Sequence, residues 1–366
     1  MVELWSKECW GEWTLIDPDT LEPHNVVRHV AKNHQIGLFK TDAVKEMAEA
    51  NYAPLHYPVT SIPDSAVNLG NKKVRSAITA ADFIVDASTT LEVPRTLSNG
   101  DETTRSVSVF IAPSGNASVL LLEDSDRSLR LDILEAQYYR AALSSAWGDK
   151  HFADPGKNLW VGMGCRDVSL MMSNEIVQFH AALLARQTRL LRDRPEACIK
   201  VWSADPETGA VEAFNIEVKA ATKEKIESWS VVVDEGTKKK LYEVRQQHLP
   251  KETGGVVLGY IDQKLRTIYV VDVLEAPPDS EADESGFIRG VEGLKEQLER
   301  VSRRTAGVVG YLGEWHSHPT FHSAHVSSQD EEVIQYLKET LSQDGLPAVM
   351  VIVGSAGEIT ISVREK

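Results

Sequence analysis

Two histidines near the C-terminal end are spaced so that both could bind one metal ion. His316 and His318 lie in the sequence Trp-His-Ser-His-Pro. In a β-strand, residues i and i+2 project from the same face, whereas on a helix they would sit well apart. The apolar run before them predicts a strand over residues 308–316, and Pro319 would end its pairing. We therefore expect the two imidazoles to converge on one ion.

A third ligand and a general base must come from other segments. Asp330 follows Ser-Ser-Gln and lies in or near the first turn of a helix predicted over residues 330–341. Two imidazoles and a carboxylate form a hydrolytic zinc set that leaves a fourth position for water. Zinc lowers the pKa of such water towards about 7 and polarises a carbonyl group. Glu252, just before Thr253 and two glycines that lead into a strand, is the candidate base.

The complete pattern is an upstream Glu, then His-Ser-His-Pro, seven residues, Ser, two residues and Asp. It resembles the JAMM (MPN-plus) metalloprotease family over roughly residues 230–366. The resemblance implies that zinc binds His316, His318 and Asp330. It further implies that Glu252 activates water and protonates the leaving amine, and that Ser327 hydrogen-bonds the oxyanion. Ser327 is also interpreted as a possible helix N-cap, a role compatible with catalysis. The intervening His322 and His325 are interpreted as solvated loop residues.

The N-terminal part contains an ordered series of polar residues that could contact a nucleotide. The series consists of Asp19, Asn25, Arg28, Lys40 and Asp86. Strands predicted over residues 13–16 and 81–87, with a helix between them over 41–51 capped by Thr41, indicate an α/β domain with a parallel sheet. This segment resembles the ThiF/MoeB-like adenylating fold. The resemblance implies that Asp19 contacts ribose, that Asn25, Arg28 and Lys40 contact phosphates, and that Asp86 helps to hold magnesium.

The resemblance to the adenylating fold is incomplete. A glycine-rich phosphate loop is missing, since Gly11 stands alone, and Ser88, Thr89 and Thr90 follow Asp86 where an asparagine is expected. We therefore predict an incomplete Rossmann-like domain, lacking its first strand and phosphate loop, with a vestigial nucleotide site. This counts against ATP and Mg²⁺ as cofactors. A truncated form, a misassigned start and a degenerate binding domain all remain open. Cys165, beside Arg166, is either a thioester-forming cysteine or one without chemistry.

The pattern of elements predicts two domains joined by a short junction. The ThiF-like domain is expected over residues 1–218, a charged linker over 219–229, and an α/β JAMM domain of the cytidine-deaminase-like fold over 230–366. Within the first domain, residues 105–123 predict a hairpin, residues 129–146 and 173–191 predict helices, and residues 197–203 and 210–218 predict two further strands.

Composition narrows the classes of partner and compartment. The chain of 366 residues has 54 acidic and 39 basic side chains, for a net charge of −15. An acidic protein is a poor binder of nucleic acid or anionic membranes, because phosphate binding needs clustered Lys and Arg. Three widely spaced cysteines form no disulfide framework. With neither a secretory signal nor an apolar stretch long enough to cross a membrane, we expect a cytoplasmic location.

These observations favour a zinc-dependent isopeptidase or peptidase. Fusion of an activating-type domain to a JAMM domain resembles bacterial ubiquitin-like conjugation systems, some of which belong to antiphage defence operons. The resemblance implies that the partner is a ubiquitin-like protein, processed as a precursor or removed from a conjugate. Two alternatives are an adenylyltransferase of the ubiquitin-activating type and a metal-free binding scaffold.

Overall fold

The computed structural model describes residues 1–52, 57–88, 90–152 and 172–365. Two compact units divide the chain, and each is discontinuous in sequence. The first comprises Met1–Leu134 with Gly162–Glu217, and the second comprises Glu135–Val161 with Val218–Lys366. Both units combine helices with strands, which confirms the predicted α/β class. Cys165 lies outside the described residues.

The elements are numbered in chain order. The helices are α1 (Val2–Lys7), α2 (Lys40–Ala50), α3 (Lys72–Ala80), α4 (Glu92–Asn99), α5 (Leu131–Ser144), α6 (Gly148–His151), α7 (Asn174–Leu191), α8 (Glu235–His248), α9 (Leu294–Arg304) and α10 (Ser328–Leu341). The strands are β1 (Trp13–Ile16), β2 (Val59–Ile62), β3 (Ile84–Asp86), β4 (Ser106–Ile111), β5 (Ala117–Leu122), β6 (Cys198–Ala204), β7 (Val211–Ile216), β8 (Ala221–Ile226), β9 (Trp229–Asp234), β10 (Gly254–Asp262), β11 (Thr267–Glu275), β12 (Glu281–Ala282), β13 (Phe287–Ile288), β14 (Gly310–Ser317), β15 (Ala348–Val353) and β16 (Ile359–Arg364). None of the described helices combines the length and the apolar character that a membrane span needs.

The first unit forms two sheets where a single parallel sheet was expected. Strands β1 and β2 pair in parallel, and β3 runs parallel to β4 in a five-stranded sheet of order β3-β4-β5-β6-β7. The pairings from β4 to β7 are antiparallel, because short turns join β4 to β5 and β6 to β7. Both hairpins follow the sequence prediction. The parallel arrangement therefore holds for two strand pairs and not for the whole unit.

Helix α2 starts one residue before the predicted cap. Its N-cap is Phe39, which contributes no side-chain cap. Thr41 lies inside the first turn, and its hydroxyl accepts a hydrogen bond of 2.9 Å from Ser61 Oγ on β2. The capping prediction for Thr41 was therefore wrong, because the threonine is used to join the helix to the neighbouring strand.

The second unit is built on a seven-stranded sheet of order β16-β15-β14-β10-β11-β9-β8. The β14–β15 and β9–β11 pairs are parallel and the other neighbours are antiparallel. Alternating valines, isoleucines and leucines of these strands pack with Trp229 and Trp315 in a continuous core. Because β14 pairs with β10, the strand that carries His316 lies beside the strand that follows Glu252.

Glycines allow the central strands of this sheet to approach each other closely. A Cβ atom on Gly255 would lie 2.1 Å from Leu274 O, and one on Gly313 would lie 1.8 Å from Val349 O. Gly313 lies next to the register irregularity between β10 and β14, whereas Gly255 lies where the register is regular. Both glycines lie in the stretch of strand that leads to the candidate site, so larger residues there would displace its backbone.

The predicted linker, residues 219–229, is part of the second sheet. Ala221–Ile226 form edge strand β8, whose Lys223, Glu224 and Lys225 are exposed. Charged side chains protect an edge strand from pairing with other chains, and the same charges made the segment resemble a linker.

The second unit also includes a segment that the sequence analysis assigned to the first domain. Gln137 on α5 exchanges two hydrogen bonds of 2.8 Å with the backbone of Lys219. Arg304 at the end of α9 donates to the carbonyls of Ala142 and Leu143 and to Asp149. The C-terminal part of α5 and all of α6 therefore belong structurally with the second unit.

Candidate metal centre

His316, His318 and Asp330 meet where β14 ends and α10 begins. His316 Nε2 lies 2.9 Å from Asp330 Oδ1, and His318 Nε2 lies 3.5 Å from Asp330 Oδ2. One ligand atom from each residue can be chosen so that all lie within 4.8 Å of one another. Ligands placed tetrahedrally about 2.0 Å from a zinc ion lie about 3.3 Å apart. The three side chains therefore fit a zinc ion in both donor type and spacing.

The start of α10 orients the Asp330 carboxylate. Ser327 is the N-cap, as one interpretation of the sequence held: its Oγ accepts from Asp330 N at 3.2 Å, and Asp330 Oδ2 accepts from Ser327 N at 2.7 Å. Burial acts to raise the pKa of Asp330, but hydrogen bonds from His316, His318 and Ser327 hold it well below its ordinary value. The carboxylate is therefore kept as an anion, which is the form that binds a metal.

The ring of His318 is held by its second nitrogen. His318 Nδ1 lies 2.6 Å from Ser323 O. A carbonyl oxygen can only accept, so Nδ1 carries the proton and donates it, and Nε2 is left to bind an ion. Its backbone N–H donates to Val353 O at 2.9 Å. The hydrogen bond with Asp330 is the main cause that raises the pKa of His318. Both the backbone and the ring of this residue are thus fixed.

Glu252 lies two residues before β10 and is almost fully buried, with 9% of its surface exposed. Its backbone N–H donates to Asp283 O at 2.8 Å. The next residue, Thr253, joins this segment to β14, because Ser317 N donates to Thr253 O at 2.7 Å and Thr253 N donates to Ser317 Oγ at 3.1 Å. Burial raises the pKa of Glu252, while the charges of His316 and His318 lower it. The carboxylate therefore interacts electrostatically with the metal-ligand group.

The other histidines of this loop take no part in the ligand group. His322 is exposed, and its Nδ1 lies 3.1 Å from Thr320 O. His325 is likewise exposed. Among the residues that the structure describes, the His, Cys, Asp and Glu side chains close enough to hold an ion are the three at the end of β14 and the start of α10.

The predicted nucleotide residues are only partly brought together. Lys40 Nζ forms an ion pair of 2.6 Å with Asp19 Oδ2. Asn25 Oδ1 instead accepts from Glu22 N at 2.9 Å in a turn of 3-10 helix, and Arg28 follows in the same stretch, its N–H donating to Asn25 O. The loop thus uses Asn25 to stabilise its own backbone.

Asp86 has separate surroundings at the end of β3. It accepts hydrogen bonds of 2.6 Å from Ser108 Oγ and Ser88 Oγ, and one of 3.0 Å from Ser88 N. Burial raises the pKa of its carboxyl group despite these bonds. Its contacts are those of a buried hydrogen-bond acceptor within the sheet.

Two contributors to the metal centre were missed by the sequence analysis. Ser317 joins β14 to the Glu252 segment, and Arg245 on α8 donates to the carbonyls of His318 and Pro319 at 2.9 Å. The serine lies inside the recognised pattern, so its place could have been noticed. A single arginine on a helix 73 residues away carries no such signal.

The C-terminal part of the chain is similar in sequence to known proteins. Residues 234–364 match the family model described as prokaryotic homologs of the JAB domain. A protein of Enterobacter hormaechei subsp. hoffmannii (strain UCI 50), named CD-NTase/cGAS isopeptidase, is 34% identical over 113 residues. That match covers 30% of this chain and spans 61% of the length of the relative.

Likenesses to solved structures are weak. PaaA shares 18% identity with a TM-score of 0.34, covering 56% of this chain and 65% of that chain. E. coli MccB, in complex with a variant of MccA, shares 15% identity with a TM-score of 0.40, covering 58% of this chain and 59% of that chain. The likeness of the first unit to the ThiF type stays a prediction. For the C-terminal part, the match of residues 234–364 to the model of JAB-domain homologs agrees with the resemblance found in the sequence.

Proposed function

We propose that this protein is a zinc-dependent isopeptidase or peptidase that releases a ubiquitin-like protein from a precursor or a conjugate. The observation that carries the proposal is the convergence of His316, His318 and Asp330, with the buried Glu252 within their electrostatic field. The JAB-domain match and the name of the Enterobacter relative support the same class of reaction. A cytoplasmic setting fits the described free cysteines, Cys9 and Cys198.

His316, His318 and Asp330 would hold the ion through two imidazole nitrogens and one carboxylate oxygen. A zinc ion there supplies Lewis-acid chemistry, which lowers the pKa of water and polarises a carbonyl group. Glu252 then takes a proton from the attacking water and delivers it to the nitrogen of the leaving amine. Burial raises the pKa of this carboxylate, which makes it a stronger base than an exposed glutamate.

Ser327 is suited to stabilise the charge that develops on the carbonyl oxygen. Its Oγ already accepts from Asp330 N, so its own hydrogen remains to be donated. A donor fixed by a helix N-terminus needs little reorganisation during the reaction. We propose that this hydroxyl donates to the oxyanion while it also caps α10.

The two alternative functions have weaker support. Adenylation requires Lys40 to neutralise phosphates, but Lys40 pairs with Asp19, and Asn25 is bonded to its own loop. A scaffold without metal is disfavoured because all the ligand positions are present and close together. We keep the nucleotide series as a proposal for a vestigial site.

The decisive experiment compares wild-type protein with Glu252→Gln. Zinc content is measured by mass spectrometry, and cleavage is measured on a panel of ubiquitin-like proteins fused linearly or linked to a lysine side chain. We expect about one zinc per chain in both proteins, because Glu252 is not a ligand. The cleavage rate of the variant should fall by about 10²–10⁴-fold, the contribution of a positioned acid–base group.

Glu299→Gln is the matched control, since Glu299 is an exposed glutamate on α9 of the same unit. It should retain both zinc and activity. Wild-type protein that binds no zinc would overturn the metal site. Equal cleavage by wild type and Glu252→Gln would overturn the role of the base while leaving the metal site intact.

A further inference from the structure

Arg245 is a buried cation whose hydrogen bonds end on the backbone that carries a metal ligand. Only 2% of this α8 residue is exposed. Its Nε donates to His318 O and its Nη2 donates to Pro319 O, both at 2.9 Å. These are successive carbonyls of the turn that leaves β14. The planar guanidinium therefore joins the helix to the turn through two bonds in a fixed geometry.

Burying this side chain is energetically expensive, and burial lowers the pKa of Arg245. Its described hydrogen-bond partners are neutral carbonyls, so their bonds offset only part of the cost of desolvation. A buried arginine is not needed to fill the core, since an apolar side chain of similar size would do so at lower cost. The position is therefore better explained by what the arginine does to the turn.

The turn itself has anchors on its other sides. Ser317 is joined to Thr253, and the N–H of His318 donates to Val353 on β15. Pro319 has no N–H to contribute. Pro319 O also accepts a longer hydrogen bond of 3.3 Å from His322 N. Without Arg245, His318 O would lose the donor described for it and Pro319 O would keep only this longer bond, so the peptide groups of residues 318 and 319 could rotate more easily. Rotation there would move the His318 ring, whose Nε2 is 3.5 Å from Asp330 Oδ2.

We propose that Arg245 is a positioning residue that fixes His318 for metal binding. The inference rests on the proposed metal function, and Arg245 itself touches neither ion nor substrate. It acts by holding the orientation of the His318 and Pro319 peptide groups, so that His316, His318 and Asp330 keep the spacing of a tetrahedral site. Affinity for metal then depends on a residue of a different helix.

The test is the substitution Arg245→Lys, which keeps the positive charge but loses the planar guanidinium that donates to both carbonyls at once. Zinc affinity is measured by competition with a chromogenic chelator, and site geometry by the visible absorption of Co²⁺-loaded protein. We expect zinc to bind about 10–100-fold more weakly, the usual cost of losing an outer partner of a metal ligand. The cobalt spectrum should change in intensity and position.

Arg304→Lys is the matched control, because Arg304 is 4% exposed and also donates to successive carbonyls, those of Ala142 and Leu143. It should lower Tm while leaving zinc affinity and the cobalt spectrum unchanged. If Arg245→Lys does not fold, Arg245→Gln, an uncharged donor with two hydrogens, is measured in its place.

The outcomes separate the two proposals. A wild-type protein without zinc would overturn the proposed function. The positioning role alone would be overturned if wild type and the Arg245 variant bound zinc equally well and had the same cobalt spectrum. An equal loss of zinc affinity in Arg304→Lys would also overturn it, since the effect would then follow from general destabilisation.

Discussion

Two buried aspartates, one in each unit, differ in the donors that surround them. Asp86 in the first unit is 5% exposed and accepts from the hydroxyls of Ser88 and Ser108. Asp330 in the second unit is 7% exposed and faces the imidazoles of His316 and His318. Burial raises the pKa of Asp86, whereas the hydrogen bonds of Asp330 outweigh burial and lower its pKa.

The difference teaches that burial alone does not make a carboxylate a metal ligand. Burial raises the pKa of a carboxyl group, and neutral donors offset this less than cationic donors do, so the charged form that would attract Mg²⁺ is less favoured. Imidazoles and a helix N-terminus stabilise the anion, and the same imidazoles serve as further ligands. Acids that look alike in a sequence can therefore have opposite uses in the fold.

The largest expected effect contrasts Asp330→Asn with Asp86→Asn. Since loss of an outer partner already costs about 10–100-fold in metal affinity, loss of the Asp330 carboxylate should cost more than about 100-fold. Asp86→Asn should leave zinc affinity unchanged, because Asp86 is not one of the three side chains that could hold the ion. For both variants, the zinc content is measured after dialysis and the zinc affinity is measured by competition with a chelator. Similar zinc loss in the two variants would break the comparison.

A second contrast removes a serine partner from each aspartate. Ser327→Ala should lower kcat by about 10²–10³-fold through loss of an oxyanion donor. Ser108→Ala should leave kcat unchanged. Each should also reduce the free energy of unfolding by about 1 kcal/mol, through a lost N-cap in one and a lost buried hydrogen bond in the other. Steady-state kinetics and urea unfolding check this, and unchanged kcat in Ser327→Ala would refute the catalytic role.

The smallest expected effect concerns nucleotide. Lys40 is paired with Asp19, and Asp86 is buried and already accepts hydrogen bonds from Ser88 and Ser108, so millimolar ATP with Mg²⁺ should leave Tm unchanged. Differential scanning fluorimetry with and without ATP measures this, with Lys40→Met as the comparison. A rise in Tm that disappears in Lys40→Met would show a working nucleotide site and contradict the prediction.

The sequence predicted those parts of the metal centre that depend on local spacing. His316 and His318 are two residues apart on a strand, so the two-residue period of a strand predicts that they share a face. Ser327 and Asp330 share one helical turn, so the capping pattern predicts that they lie together. The hairpin of β4 and β5, predicted over residues 105–123, likewise follows from apolar runs around a turn. In these regions local pattern and final structure agree.

Other features depend on contacts that no local pattern contains. Arg245 reaches its turn only because α8 packs beside the end of β14. The charged residues of β8 are as typical of a linker as of an edge strand, and only the pairing with β9 shows that the segment is a strand. In the first unit, the residues from Asp19 to Asp86 lie in several separate elements and loops, so their order along the chain could not show which of them meet.

The segment of α5 and α6 that belongs with the second unit has a consequence for inheritance. A genetic crossover near residue 218 would transfer Glu252 and the whole proposed ligand group, and it would leave behind the carbonyls of Ala142 and Leu143 that Arg304 contacts. The recipient would carry the reactive groups on an incompletely supported fold. Each unit consists of two separate stretches of one reading frame, and the stretches of the two units alternate along it. Recombination can therefore pass on an intact unit only together with the other unit.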